Sequence, residues 1–172
     1  MSDQISVLFC CMGNICRSTM AEGVFQAMVK KEPYKGLVAK VDSCGTISYH
    51  TGDTPDDRTM DTLAAHGITD YHHRARTLQA ADFDRFDYIF AMDRQNLKDL
   101  EQYKRRKPDS RAQIMLFGAF ATPQGPGSSN AQHEVISDPY YGGRDGFQKA
   151  YEQTTRFSKN FLRATFPQVS PP

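Results

Sequence analysis

The sequence predicts an α/β fold: one domain holding an open, twisted, four-stranded parallel sheet with helices on both faces. Three observations predict it. The apolar runs at 5–10 and 86–92 are continuous rather than alternating, as in strands buried on both sides. Helical stretches separate these runs and two shorter strand candidates. A loop rich in cysteine, with Gly13 and Asn14 inside it, follows the first strand at the edge where such sheets bind ligands.

The elements follow in order. Residues 5–10 form the first strand. Residues 19–31 form a helix with Met20, Val24, Phe25 and Met28 on one face, and Thr19-Met20-Ala21-Glu22 has the spacing of a capping box. A shorter, mixed strand covers 37–43. A helix over 55–66 starts at Pro55 and stops at Gly67. Residues 86–92 are the strongest later strand, and Asp93 caps a helix reaching about Tyr103. Residues 113–117 are the fourth strand. A long helix over 146–166 offers Phe147, Tyr151, Phe157, Phe161 and Leu162 to the core. The stretch 121–134, rich in Gly, Pro, Ser, Gln and Asn, is read as a long loop, either functional or a tolerated surface insertion. The tail 168–172 is expected to fray.

Composition narrows the function. The chain has 172 residues and a net charge of +1, which gives no general signal for nucleic acid or an anionic membrane. No apolar run approaches a membrane span, and Met1-Ser2-Asp3-Gln4 does not read as a signal peptide. The four cysteines, at 10, 11, 16 and 44, are crowded toward one end and do not form a disulfide framework. They suit a reducing compartment, so the cytoplasm is expected. His50, His66, His72 and His133 have no ligand spacing with the cysteines, and neither a metal nor a cofactor is expected. Lys104-Arg105-Arg106-Lys107 reads as a solvated helix end that suits the dipole.

The chemistry lies in Cys10-Cys11-Met12-Gly13-Asn14-Ile15-Cys16-Arg17-Ser18. Cys11 and Arg17 are separated by five residues, short enough for successive backbone N–H groups to wrap one anion. The helix that follows points its positive end at the same place. Arg17 supplies a planar fork for two phosphate oxygens. Cys11, among donors and positive charge, is placed to act as a thiolate nucleophile. A thiolate attacking a phosphate ester must expel an alkoxide or phenoxide, so an oriented acid is needed. Asp138, in Asp138-Pro139-Tyr140-Tyr141-Gly142, is the best candidate, although Asp-Pro alone also reads as a turn.

Val7 to Ser18 with Ala21-Glu22 resembles the signature of the low-molecular-weight protein tyrosine phosphatases. Further stretches match in the same order: Val41-Asp42-Ser43 with Gly45-Thr46, His73-Arg74-Ala75-Arg76, Phe86-Asp87-Tyr88-Ile89 with Ala91-Met92-Asp93, and Asp138-Pro139-Tyr140-Tyr141-Gly142. The paired tyrosines look like the eukaryotic-type branch. The resemblance implies a flavodoxin-like topology and a metal-free hydrolysis of phosphotyrosine through a phosphocysteine. It implies Cys11 as nucleophile, Arg17 as clamp and Asp138 as general acid. The phosphate is then held by the loop Met12, Gly13, Asn14, Ile15, Cys16, Arg17 and Ser18.

By the same resemblance Asn14, Ser18, Ser43 and His73 hold the loop in shape, and Ser18 donates to the Cys11 sulfur. Tyr49 and Tyr140 wall the pocket, with Met12 and Ile15 on its rim. Cys16 is implied as a reversible disulfide partner of Cys11, and Tyr140 and Tyr141 as phosphoacceptors. Phosphotyrosine proteins would be the partners, inorganic phosphate or vanadate would compete, and the chain would be a monomer or weak homodimer. The chain departs from the family pattern in three places. Thr19 stands where proline is usual, Cys10 replaces an aliphatic residue, and 121–134 is longer. An arsenate-reducing thiol enzyme on the same fold and a non-catalytic phosphotyrosine binder are the alternatives.

Overall fold

A computed structural model describes residues 4–127 and 133–169. Four strands form one sheet: β1 (Ile5–Cys11), β2 (Val38–Gly45), β3 (Tyr88–Ala91) and β4 (Gln113–Leu116). Their order is β2-β1-β3-β4 and every pairing is parallel. Chain direction across the sheet therefore reverses at β1. The crevice between the carboxyl ends of β1 and β3 is the switch point where such sheets bind ligands. Cys11 pairs with Gly45 and Cys10 with Ala91 at that edge.

The two central strands, β1 and β3, are buried on both faces, as their continuous apolar runs require, while β2 and β4 at the edges are partly exposed. Val7, Phe9 and Cys11 point toward α1 (Arg17–Val29) and the last helix, α5 (Arg144–Thr165). Leu8 and Cys10 point the other way, toward α3 (Asp82–Arg85) and α4 (Arg94–Arg105). The first face is dominated by phenylalanine: Phe9 meets Phe117 edge-on at 4.9 Å and Phe90 meets Phe161 at 5.0 Å. A third cluster joins Met20 and Val24 of α1 to Leu63 of α2 (Asp57–Ala65), Tyr71, and Phe147 of α5. Helix α1 is thus covered on two sides. Phe25 faces the sheet while Met20 and Val24 face α2 and α5, so the single apolar face expected for this helix is split in two.

The capping box expected at Thr19–Glu22 does not form. Helix α1 begins two residues earlier, at Arg17, and its N-cap Cys16 makes no side-chain cap. Thr19 instead donates to the Cys16 carbonyl at 2.9 Å, and Glu22 turns into the core. The spacing resembled a box, but burial of this first turn under the sheet edge overrides it. Asp93 does cap α4, with Asn96 completing the reciprocal pair. Gly67 ends the turn after α2 with a left-handed φ of 84°, as expected for a stop. Helix α3 has only four residues and is not apparent in the sequence pattern.

The long segment after β4 opens with two short 3-10 turns, Phe117–Phe120 and Gly125–Gly127, rather than as plain loop. Residues 128–132 of it lie outside the described residues. Its far end is tied down. Glu134 receives two hydrogen bonds from Arg156, at 2.7 and 2.9 Å, and its N–H donates to the Gly118 carbonyl. Ile136 is buried and its N–H donates to the Met92 carbonyl at 2.9 Å. The extra length upstream is therefore anchored before the chain reaches Asp138. Of the tail expected to fray, residues 170–172 lie outside the described residues. Val169 packs against the core, with its N–H on the Phe166 carbonyl.

Candidate active site

Cys11 is the last residue of β1, 3% exposed, and its Sγ lies at the base of the loop that follows. The Asn14 N–H reaches Sγ at 3.3 Å and Ser18 Oγ lies 3.0 Å from it. Asn14 shapes the loop. Its φ of 60° is left-handed, a region asparagine tolerates better than most residues. Its side-chain N–H groups donate to Ser18 Oγ at 2.8 Å and Ser43 Oγ at 2.9 Å. Its Oδ1 accepts from the Arg76 N–H at 3.0 Å and from His73 Nε2 at 2.7 Å. Every hydrogen-bonding position of this amide is filled, which fixes its orientation. Ser18 Oγ accepts from Asn14, so its own proton is free to point at Cys11 Sγ. A hydrogen bond of that sense stabilises a sulfur anion.

Beneath this layer sits a group whose expected role was only that of a helix cap. Glu22 is 3% exposed and accepts from Ser43 Oγ and Tyr71 OH, each at 2.7 Å. Burial pushes its carboxyl up to about 7, against the pull of those two donors. Burial also lowers His73, so the neutral ring is favoured. With Nε2–H given to Asn14, His73 presents Nδ1 to Glu22 at 3.4 Å and to Asp42 at 3.6 Å. Arg76 closes the network by pairing with Asp42 and Asp82, both at 3.0 Å.

Glu22 carries a measurable consequence. Its folded-state value lies above the ordinary 4.5, so the folded chain holds a proton that the unfolded chain releases. Its contribution is present below about 4.5 and is lost as pH rises through about 7. Glu22→Gln keeps the acceptor for Ser43 and Tyr71 and removes the titration. Urea midpoints from pH 5 to 8 are expected to show the wild type losing ~2–3 kcal/mol relative to the variant. A constant difference across that range contradicts the assignment.

Arg17 opens α1 and is 4% exposed. One guanidinium nitrogen donates to Asp93 Oδ2 at 2.5 Å and to the Ile136 carbonyl at 3.0 Å. The other stands 3.9 Å from Asp138 Oδ2. Asp93 thus does two things: it caps α4 and aims Arg17 into the loop. Only the capping role was legible from its local pattern. Asp138 is partly exposed, and its Oδ1 accepts from the Tyr140 N–H at 3.1 Å, which orients the carboxyl.

These groups share one cleft of about 310 Å³. Cys11, Met12, Gly13, Ile15, Cys16 and Arg17 form its floor and near wall, and Asp138, Tyr140 and Tyr141 form the far wall. Ile47, Tyr49 and His50 complete the mouth; Ile47 and His50 were not anticipated. Tyr49 and Tyr141 are 82% and 90% exposed, Tyr140 39%. Tyr140 is backed by Arg58, whose guanidinium lies 5.4 Å from its ring and 4.6 Å from Phe147. Asn14 and Ser18 lie below the floor, with Ser43 and His73 behind them. Cys16 lines the cleft, and burial together with the nearby Asp56 pushes its thiol well up, so it is a neutral thiol at ordinary pH. Cys10 and Cys44 are buried on the opposite face of the sheet, packed among apolar residues that include Leu8 and Ile89. Among the described residues, Glu22, Asp42 and His73 are the one cluster with metal-ligand spacing, and its two carboxylates accept hydrogen bonds from Ser43, Tyr71 and Arg76.

Gly45 backs the loop from β2. A Cβ there would lie 2.7 Å from the Met12 carbonyl oxygen and 3.2 Å from the Gly13 carbonyl carbon. Backbone cannot yield as a side chain can. Gly45→Ala is expected to displace residues 12–14 and reduce kcat/KM by about 10²-fold, as a misplacement of ~1 Å would. Stability should fall by a comparable ~1–3 kcal/mol in a melting experiment, so that the chain stays folded. Unchanged kcat/KM would show that this contact does not set the loop.

Comparison with known proteins agrees with this geometry. A family model described as low molecular weight phosphotyrosine protein phosphatase matches residues 6–169. The Schizosaccharomyces pombe low molecular weight phosphotyrosine protein phosphatase is 47% identical over 164 residues, 95% of this chain and 99% of the relative. Among solved structures, that of the Drosophila arginine phosphatase is similar, with a TM-score of 0.78 and 36% identity over 91% of this chain and 95% of that one. A protein tyrosine phosphatase from Entamoeba histolytica, solved with Hepes in the active site, superposes with a TM-score of 0.76. It is 30% identical and the match covers 96% of this chain and all of that one. By its sheet order, its loop and the match over nearly its whole length, the chain belongs to the low molecular weight phosphotyrosine protein phosphatase family.

Proposed function

We propose that this chain hydrolyses phosphotyrosine in proteins, and small aryl phosphates, through a phosphocysteine on Cys11. One observation carries the reading: a buried sulfur with two inward donors sits at the floor of a cleft that also holds a guanidinium and a carboxyl group. In the first step Cys11 Sγ attacks phosphorus and the ester oxygen leaves, taking a proton from Asp138. Arg17 and the loop N–H groups hold the three phosphoryl oxygens while charge spreads over them. In the second step the Asp138 carboxylate takes a proton from water, which attacks phosphorus and releases Cys11. Ser18 supports the departing sulfur. Tyr49 and Tyr140 offer flat surfaces to an aromatic ester. Cys16, lining the same cleft, would be the disulfide partner for an oxidised Cys11.

The alternatives fit less well. A thiol reductase needs a relay of further cysteines, and none follows Cys44. A mere binder has no use for the acid. Four free thiols suit a reducing compartment, from which we infer the cytoplasm. No helix among the described residues is long and apolar enough to cross a membrane.

The test is rapid mixing with p-nitrophenyl phosphate in chelator. A burst of about one phenolate per active site is expected, with acid-trapped phosphate on Cys11. Phosphotyrosine and phosphoarginine peptides in the same assay decide the substrate class, and the tyrosine-walled mouth favours the former. Faster turnover of phosphoarginine would overturn the substrate assignment, and a burst without label on Cys11 would overturn the mechanism.

A further inference from the structure

Away from this cleft, a cavity with an apolar floor lies between α1 and α5. It has a volume of about 400 Å³, within the usual range for a small-molecule site. Val24, Ala27 and Met28 of α1, with Tyr34 and Ile68, make its floor. His66 and Tyr151 stand at one side with their rings stacked 3.7 Å apart and 9° from parallel, forming a flat aromatic shelf. The cavity shares no lining residue with the Cys11 cleft.

Its rim is cationic. Lys31 lies just past the C-terminus of α1, and Lys159 and Arg163 lie one turn apart on α5. None of the three has a carboxylate partner among the described residues, whereas nearby Arg156 is held by Glu134. Like charges four residues apart on a helix repel each other, so this pairing costs stability while nothing occupies the cavity. Glu32 is the single carboxylate on the rim. Thr155, one turn before Lys159, also lines the cavity, and its Oγ1 is buried without a hydrogen-bond partner. Buried hydroxyls are normally paired. An apolar floor, a stacked aromatic shelf and unpaired cations describe a ligand with a flat ring and an anionic group.

We propose that the cavity between α1 and α5 is a second binding site, for a planar aryl anion. The ring lies against His66 and Tyr151 over the Val24 and Met28 floor. The anionic group lies toward Lys159 and Arg163. The site is independent of the phosphatase reading.

The test uses the full chain with 13C-methyl methionine, titrated with naphthalene-2-sulfonate in saturating orthovanadate. Met28 lines this cavity and Met12 lines the other, so the two methyl signals separate the sites. Met28 is expected to shift saturably while Met12 stays still. The neutral 2-naphthol should bind about tenfold more weakly. The Lys159→Glu/Arg163→Glu pair should also weaken sulfonate binding about tenfold while turnover of p-nitrophenyl phosphate is unchanged. Ala27→Leu, which fills the floor and leaves the charges, should abolish the Met28 shift and serves if the charge variant fails to fold. A Met28 signal that does not move in the wild type overturns the site. Sulfonate binding that survives both variants, or is matched by 2-naphthol, overturns its assigned chemistry.

Discussion

Cys11→Ser is expected to lower kcat on p-nitrophenyl phosphate by a factor of about 10⁴ or more while phosphate and vanadate still bind. A serine hydroxyl has almost no anionic fraction at neutral pH, whereas the sulfur of Cys11 faces an amide N–H at 3.3 Å and the Ser18 hydroxyl oxygen at 3.0 Å, both able to donate to an anion. Removing a nucleophile in comparable covalent enzymes leaves only the residual catalysis of the surrounding donors. Those donors survive the substitution, because Asn14 is held by Ser18, Ser43, His73 and Arg76 and by nothing on Cys11 beyond its N–H contact. Arg17 likewise stays on Asp93 and Ile136. Thermal shift with phosphate should therefore match the wild type. More than about a tenth of wild-type turnover in the variant would remove Cys11 from its role.

Asp138→Asn carries the second largest effect and a sharper signature. The amide cannot supply a proton to the departing oxygen or take one from water. General acid catalysis contributes roughly 10²–10⁴-fold where the leaving group is a poor one. Turnover of phenyl phosphate should fall by about 10²–10³-fold, near that of a tyrosine ester. With p-nitrophenyl phosphate, whose phenolate leaves unaided, the release of phenol should slow far less. The cap from the Tyr140 N–H to Oδ1 can be kept by asparagine, so the loop geometry should persist and the loss should be chemical. Equal losses for the two esters would mean that Asp138 positions the loop and does not deliver a proton.

How much of this was legible in the chain depended on distance along it. The β1 run, the loop and the start of a helix are contiguous, so their periodicity and spacing placed Cys11 and Arg17 together at a sheet edge without any long-range information. Asp93 shows where that stops. Its capping of α4 is a contact across three residues and was readable; its bond to Arg17 spans 76 positions and was not. Glu22 was misread for the same reason. Thr19 and Glu22 have the local spacing of a cap, and only the fold brings Tyr71 and Ser43 over Glu22 and makes burial the stronger force. The two sides of α1 were merged into one because a helical wheel carries no record of which neighbour covers which side. Asn14, Ser18, Ser43 and His73 came from likeness to a family, and spacing alone would have left Ser43 and His73 unassigned.

The partners of Arg17 and Asn14 have a kinetic consequence. Ile136 is 119 residues from Arg17, and Arg76 is 62 residues from Asn14. The cradle is a nine-residue peptide whose shape is enforced by contacts of high sequence separation, the kind a refolding chain completes late. A chain diluted from denaturant should regain helical circular dichroism before it regains turnover, and intermediates with most of their helix should be inert toward aryl phosphates. Reactivity in this fold thus reports the completion of folding, and a half-assembled molecule offers no working nucleophile to the wrong ester.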